Sequence, residues 1–222
     1  MSLPTPRKLF TSLINTLTLS MPSPGSGDQQ NQTNKGNDEG NAFKALSPAQ
    51  KALLTTLHVI IPPPTLLQAL DLLDRRLATR ILCSPFSVAS SQEKEKEQRE
   101  RRGFYLVKSS QVPKSRYRDR LAGGEEGISY VVRLEAWNCT CASFAFSSFR
   151  SNSTITVPFR GENEKREVEW EYGGESLDGR DGGAVPVCKH LLACLLAERW
   201  SVLGGQVDVR EVERDEVVGL SV

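Results

Sequence analysis

Apolar side chains recur at helical spacing in the two stretches that follow residue 47. Ser47 and Pro48 are residue types of an N-cap and a first helical position, and the helix that they open should end at the three prolines 62–64. Thr65 is then the expected cap of a second helix. The apolar positions of that second helix are Leu66, Leu70, Leu73, Leu77 and Ile81. Two such amphipathic helices should pack together as a helical hairpin.

Further along the chain, short apolar runs and alternation predict strands. Residues 104–107 form one short run, and residues 128–137 form a longer one in which Tyr130 and Val132 alternate with Val131 and Arg133. Residues 142–149 could form a further short strand or a turn. A leucine-rich run from Cys188 to about residue 200 predicts a helix, and residues 206–212 predict one more strand.

Composition narrows the classes of function. The chain has 222 residues, of which 38% are apolar and 25% charged, and this length suits one domain with tails or one and a half domains. The formal net charge of +1 argues against a globally basic or acidic protein, so nucleic-acid binding would need a local patch. No run approaches the roughly 18 apolar residues of a membrane span, and no compact signal-peptide region is present. We therefore expect an intracellular protein without membrane contact or small-molecule substrate.

The scarcest residues carry the clearest chemical signal. The chain has 5 Cys and 2 His, and four of these seven form a Cys-x-Cys pair, Cys139 and Cys141, and a Cys-x-His pair, Cys188 and His190. In an intracellular protein such clusters indicate metal binding more often than disulfides. Three thiolates and one imidazole meet the tetrahedral preference of Zn²⁺ and leave no open position for catalysis. The sequence therefore predicts one structural zinc ion held by these four residues.

Other candidate residues favour simpler interpretations. Cys194 lies one turn after His190 and could compete as a ligand, although its leucine-rich surroundings favour a buried thiol. Cys83 and His58 are expected to be structural or packing residues. The sequence has no Gly-rich phosphate loop, and the histidine outside the zinc set, His58, is expected to cap or pack rather than to serve as the base for a cysteine nucleophile, so we expect no enzymatic activity.

Taken together, the two ligand pairs resemble the SWIM zinc finger. The residues around the ligands, 137–144 (WNCTCASF) and 188–193 (CKHLLA), are similar to those of the fungal SWIM-domain subunit of the Shu recombination complex. The resemblance covers about residues 104–200. It implies that Cys139, Cys141, Cys188 and His190 are the zinc ligands and that Ala193 is the small residue that leaves room beside the metal site. The interval between the pairs is long for such a finger, which indicates an insertion at 151–185.

The expected fold class is α+β, with an N-terminal helical hairpin, a small antiparallel sheet and a ββα-like SWIM zinc finger with a C-terminal helix. Residues 1–46 are expected to be a disordered tail, because 20–40 are mostly Gly, Ser, Pro, Asn and Gln and have little to bury. Residues 47–89 are the helical hairpin and 90–103 a charged linker. Residues 104–203 are the SWIM domain with its insertion, and 204–222 are a C-terminal tail.

The resemblance also implies a function. It implies a non-enzymatic accessory factor in homologous-recombination DNA repair that pairs with a RecA-like recombinase paralogue and promotes recombinase filament assembly on single-stranded DNA. The expected localisation is the nucleus, while an N-terminus without Asp or Glu before residue 28 leaves a mitochondrial pool open. Two alternatives are a stand-alone SWIM finger that binds nucleic acid and an adaptor in a ubiquitin-ligase or chromatin complex.

Direct contact with single-stranded or forked DNA would involve a basic loop. Its positive residues are Lys114, Arg116, Arg118 and Arg120. Basic side chains of this kind could follow a phosphate backbone, and Tyr117 among them could stack on a base. A solvated loop or a partner-facing surface is the alternative.

Overall fold

The fold is α+β, with helices around a small mixed sheet. The computed structural model describes residues 4–19, 47–83, 103–110, 128–149, 170–176, 184–213, 216–217 and 219. The helices are α1 (Pro6–Leu19), α2 (Pro48–Ile60), α3 (Pro63–Asp74), α4 (Ala142–Phe149), α5 (Lys189–Arg199) and α6 (Ser201–Gly204). The strands are β1 (Ala78–Cys83), β2 (Phe104–Lys108), β3 (Ser129–Arg133), β4 (Asn138–Cys139) and β5 (Asp208–Val212). No helix among these residues is long and apolar enough to cross a membrane.

Helix α2 begins where the sequence predicts. The Ser47 hydroxyl accepts a hydrogen bond from the Gln50 backbone N–H at 3.2 Å, and the Gln50 side chain accepts one from the Ser47 N–H at 2.9 Å. This reciprocal capping box satisfies two of the donors that a helix start leaves unpaired. The three prolines separate α2 from α3 as predicted, but Pro62 and not Thr65 is the N-cap of α3.

Helix α3 ends at Asp74, so the predicted continuation of this helix to Ile81 is wrong. Arg76 has a φ of 49°, a left-handed conformation that no helix can continue. The following residues form β1, in which Ile81 is 1% exposed on the sheet. Pairing of β1 with strands distant in sequence overrides the helical spacing of Leu77 and Ile81.

Part of the predicted N-terminal tail is ordered. Residues 6–19 form α1, whose Arg7 and Ile14 are each 1% exposed. The prediction of a disordered tail is therefore wrong for this segment, because the helix obtains its burial from packing against the rest of the protein. The remainder of the tail at 1–3 and 20–46 lies outside the described residues, as do 90–102 of the charged linker and 151–169 and 177–183 of the insertion.

Strand order in the sheet is β4-β3-β2-β1-β5. Neighbouring strands are antiparallel except for β5, which runs parallel to β1. The prediction of a purely antiparallel sheet is therefore wrong. The expected strands at 104–107 and 206–212 are confirmed as β2 and β5. Strand β3 ends at Arg133 rather than continuing to 137, because residues 134–137 turn into β4.

The leucine-rich helix α5 lies at the centre of the molecule. All of its residues from His190 to Ala197 are buried, and it packs against α1, α3 and the sheet. The prediction of a helix in this region is confirmed, and Trp200 just after it is 1% exposed. Residues 142–149 form a helix and not the expected strand or turn, because Cys141 begins a helical hydrogen-bond series with Ala145.

Candidate metal centre

The fold brings the two predicted ligand pairs together. Cys139 ends β4 and Cys141 precedes α4, while Cys188 is the N-cap of α5 and His190 lies in its first turn. All four residues are buried, and their potential ligand atoms lie within 4.8 Å of one another. The Sγ of Cys139 lies 3.8 Å from the Nδ1 of His190. The group could therefore hold one metal ion.

These separations suit tetrahedral coordination. A tetrahedral ion with metal–sulfur bonds of about 2.3 Å and a metal–nitrogen bond of about 2.0 Å separates two sulfurs by roughly 3.8 Å and a sulfur from the nitrogen by roughly 3.5 Å. The observed distance of 3.8 Å between the Cys139 Sγ and the His190 Nδ1 is slightly longer than the sulfur–nitrogen value, and all donor atoms lie within 4.8 Å of one another, so binding an ion needs only modest shifts of these side chains. Three sulfurs and one nitrogen complete the four positions without a vacancy for water.

A tight turn and a strand aim the Cys139 and Cys141 side chains at the same point. The N–H of Trp137 donates to the Leu134 carbonyl at 3.1 Å, which closes the turn between β3 and β4. Thr140 then bonds β3 twice, and its side chain is exposed. Because side chains alternate along an extended chain, the two cysteines on either side of Thr140 face inward together.

Two of the sulfurs lie at helix N-termini. The Sγ of Cys141 accepts a hydrogen bond from the Phe144 N–H at 3.3 Å, and the Sγ of Cys188 accepts one from the Leu191 N–H at 3.5 Å. Unpaired N–H groups and the positive end of the helix dipole both favour the thiolate over the thiol. The metal centre therefore lies where α4 and α5 each present a partial positive charge.

Hydrogen bonds between the neighbouring thiols shift their pKa values in opposite directions. The pKa of Cys141 is lowered, mainly because the Cys139 thiol donates a hydrogen bond to it, and the pKa of Cys139 is raised by the same bond. Without a cation, three adjacent sulfurs cannot all lose their protons at low cost, whereas a bound divalent ion offsets their charge. The donor set therefore fits a cation.

Cys194 does not belong to the donor group. Its side chain is 0% exposed, and burial raises the pKa of its thiol well above the ordinary value. A desolvated thiol of this kind stays neutral and behaves as a small apolar side chain. The prediction of a buried thiol is confirmed.

His190 is held by an aromatic neighbour. The Tyr130 ring lies 4.5 Å from the imidazole ring, centroid to centroid, at an interplanar angle of 30°. The imidazole directs Nδ1 toward Cys139, so Nδ1 is the ligand atom that the geometry favours. Ala193, in the same helix, is 0% exposed, so a larger side chain there would have to displace core atoms.

Trp137 joins the two ligand pairs, a role that sequence reasoning did not assign. Its Nε1 donates to the Pro186 carbonyl at 2.7 Å, which ties the turn before Cys139 to the segment before Cys188. Its φ is 50°, an uncommon conformation for a bulky residue that only surrounding contacts can maintain. Its position beside the Cys-x-Cys motif was the one available signal.

The remaining predicted residues lie apart from this centre. Lys114, Arg116, Arg118 and Arg120 lie outside the described residues, so the predicted DNA contact stays a prediction. Cys83 ends β1 and is partly buried, and His58 is exposed in the last turn of α2.

Comparison with known proteins adds no assignment. No protein-family model matches the sequence, and no curated protein matches it. The SWIM resemblance therefore stays a prediction that rests on the two ligand motifs and the residues around them.

Proposed function

We propose that the buried Cys/His group binds one structural Zn²⁺ ion and that this chain is a SWIM-type, non-enzymatic subunit in homologous-recombination repair. It pairs with a RecA-like recombinase paralogue in the nucleus, and the pair promotes recombinase filament assembly on single-stranded DNA. The observation that carries the proposal is the convergence of four buried donors, in the motif order of the SWIM finger, at the ends of a strand turn and two helices.

Donor chemistry supports zinc over other common ions. Thiolate and imidazole are soft or borderline ligands that suit Zn²⁺, whereas Mg²⁺ and Ca²⁺ prefer oxygen. A complete set of four protein ligands favours a structural role, since catalytic zinc keeps one position for water or substrate. The ββα-like arrangement that we assign to the SWIM finger consists of β3, β4 and α5, with the ion between the β4 end and the α5 start.

An exposed aromatic pair supports a role in protein contact. Phe146 of α4 is 71% exposed and Phe149 is 82% exposed. Residues three apart lie on the same face of a helix, so the two rings form one apolar patch. Large exposed aromatic side chains are typical of interaction sites. Because Cys141 directly precedes α4, the bound ion would also fix the direction in which this patch points.

Co-purification with the recombinase paralogue tests the proposal. The full chain is co-expressed with the paralogue, and complex formation is measured by size-exclusion chromatography together with zinc content. Replacing Phe146 and Phe149 with serine should abolish co-elution while leaving one zinc ion per chain. Val59→Ser is the matched control, because Val59 is 81% exposed on α2 and should leave the complex intact. No complex with the wild-type chain, or equal loss in the control, would refute the pairing.

Activity of the complex provides the second test. With the wild-type pair, recombinase nucleation on single-stranded DNA should be faster than with recombinase alone, and the Phe146/Phe149 variant should lose this acceleration. Tight DNA binding by the purified chain without a partner would instead favour the stand-alone nucleic-acid-binding finger. Imaging of a tagged chain tests the nuclear localisation against a mitochondrial one.

A further inference from the structure

The geometry points to Arg7 as a positioning residue for the metal centre, although it lies far from the ligands in sequence. We infer that α1, which we call the strap, holds the turn at 171–176 against the β3–β4 turn that precedes Cys139. The contacts of Arg7 with residues 171–176 attach the strap to that turn. When Arg7 is removed, the ion should leave faster even though all four ligands are present. The inference concerns metal retention, and it does not depend on the role in recombination.

All three guanidinium nitrogens of Arg7 contact one short turn. Its Nη1 donates to the Ser176 carbonyl at 2.7 Å, and its Nη2 donates to the Gly174 carbonyl at 2.5 Å. Its Nε forms an ion pair with Glu171 at 3.1 Å. The Arg7 side chain is 1% exposed with the turn in place, so docking removes the guanidinium from water and requires these acceptors in place of its hydration. Burying an unpaired charge is costly, so α1 and the turn should dock and undock together.

Two glycines allow the turn to approach closely. Gly173 has a φ of 95°, and a Cβ added there would lie 3.0 Å from the Arg7 guanidinium carbon. Gly174 has a φ of 51°, and a Cβ there would lie 2.7 Å from the Leu134 carbonyl oxygen. These backbone conformations and approach distances suit only glycine. The 171–176 turn is thus sandwiched between Arg7 on one side and the β3–β4 turn on the other.

From this turn, contacts continue to the ligand segments. The Glu175 N–H donates to the Glu135 carbonyl at 2.8 Å, in the turn that precedes Cys139. The Tyr172 ring packs edge-on against Trp137 with centroids 4.7 Å apart. Because Trp137 also bonds the segment before Cys188, the turn supports both halves of the donor group.

Helix α1 is fastened along its length. Near its start, the Phe10 ring stacks on Tyr172 at 4.7 Å, and the Thr11 hydroxyl accepts a hydrogen bond from the Tyr172 N–H at 2.9 Å. Near its end, the Thr18 hydroxyl donates to the Arg199 carbonyl at 2.8 Å, at the last turn of α5. The strap therefore extends from the turn behind the metal centre to the far end of the helix that supplies two ligands.

Release of zinc to an excess of chromogenic chelator measures retention directly. The full-length, zinc-loaded chain is mixed with the chelator, and the first-order release rate is recorded for the wild type and for Arg7→Ala. Loss of charge-assisted hydrogen bonds at a buried site should accelerate release by about tenfold or more. Lys8→Ala, on the exposed side of the same helix, should release zinc at the wild-type rate.

A second control separates retention from general stability. Ile81 is 1% exposed in a small cluster on the sheet that contains none of the ligands, so Ile81→Ala should lower the urea midpoint without loosening the strap. At equal loss of urea midpoint, Arg7→Ala should release zinc several-fold faster than Ile81→Ala. Equal release rates in these two variants, or a wild-type rate in Arg7→Ala, would overturn the inference.

Arg7→Lys keeps the test decisive if the alanine variant does not fold. Lysine preserves the charge toward Glu171 but lacks the planar fork that reaches two carbonyl groups. The release rate of Arg7→Lys should therefore lie between those of the wild type and Arg7→Ala. A wild-type rate would contradict the claim that the hydrogen bonds of the guanidinium to two carbonyl groups are needed. A wild-type chain without zinc would remove the metal centre itself, and with it this inference. If the wild type binds zinc but the Arg7 variants release it at the wild-type rate, the role of α1 as a strap is refuted and the metal centre is not.

Discussion

Replacing Cys188 with serine removes one proposed zinc ligand while preserving the start of α5. The Sγ of Cys188 caps the helix by accepting the Leu191 N–H, and serine is a preferred residue at that position. The substitution therefore preserves the helix cap, but it replaces the sulfur atom that would bind zinc with a hydroxyl oxygen. Cys194→Ser is the matched control, because it makes the same chemical change in the same helix outside the donor group.

The expected magnitude follows from the ligand count. Structural zinc sites in small domains bind with an apparent free energy of about 10–16 kcal/mol at neutral pH. One of four ligands accounts for roughly a quarter of this, or about 2.5–4 kcal/mol, which corresponds to a loss of affinity of about two to three orders of magnitude. Because the same binding energy stabilises the fold, the urea midpoint of the zinc-loaded protein should fall as well.

Cys194→Ser should lower the stability of the protein without lowering its zinc affinity. Cys194 is 0% exposed, and a buried hydroxyl in its place costs about 1–2 kcal/mol, reduced where it can bond the carbonyl one helical turn earlier. For both variants, zinc content is measured after gel filtration, and zinc affinity is measured by competition with a chelator of known affinity. Undiminished zinc affinity in Cys188→Ser, or an equal loss in Cys194→Ser, would refute the proposed ligand set.

Two further predictions follow from the same geometry. Gly174→Ala should lower the melting temperature, because a φ of 51° costs about 1–2 kcal/mol with a Cβ and that Cβ would lie 2.7 Å from the Leu134 oxygen. Gly205→Ala is the control: its φ is −68° and its Cβ would meet nothing within 4 Å, so a fall in both variants would contradict the steric argument. Acid should release the ion, because protons compete with the metal for the thiolate and imidazole donors, so the binding free energy is present at neutral pH and is lost as the pH falls and the ligands become protonated. Zinc occupancy measured with an indicator should decline with pH, and pH-independent occupancy would argue against thiolate ligands.

The metal centre and the fold depend on each other in a specific way. Two of the candidate ligands come from the far edge of the sheet at β4, and two come from the start of the central helix α5. An ion bound between them would link this sheet edge to α5. The hydrogen bonds of Trp137 and of the 171–176 turn connect the β3–β4 turn to neighbouring segments without a metal ion. Loss of zinc should therefore loosen the β4 edge and α4 first, while the α3–α5 core persists.

Local chemistry determined much of what could be predicted from the sequence. The start of α2 depends on Ser47 and the residues just after it, and its end depends on the adjacent prolines. The buried helix α5 follows from its density of leucine. The donor set follows from the scarcity of Cys and His and from their spacing. The helix start, the leucine density and each ligand pair are features of a few neighbouring residues, so the primary structure contains these signals, whereas the convergence of the two ligand pairs depends on the fold.

Contacts between distant segments decided the rest. Residues 78–83 have helical spacing, yet they form a strand because β2 and β5 provide backbone partners on both sides. Helix α1 is ordered by burial of Arg7 and Ile14, and the acceptors for Arg7 lie 167 and 169 positions away. The parallel pairing of β5 also depends on where the chain returns after α5. Such choices depend on which surfaces meet, and only the tertiary structure contains that information.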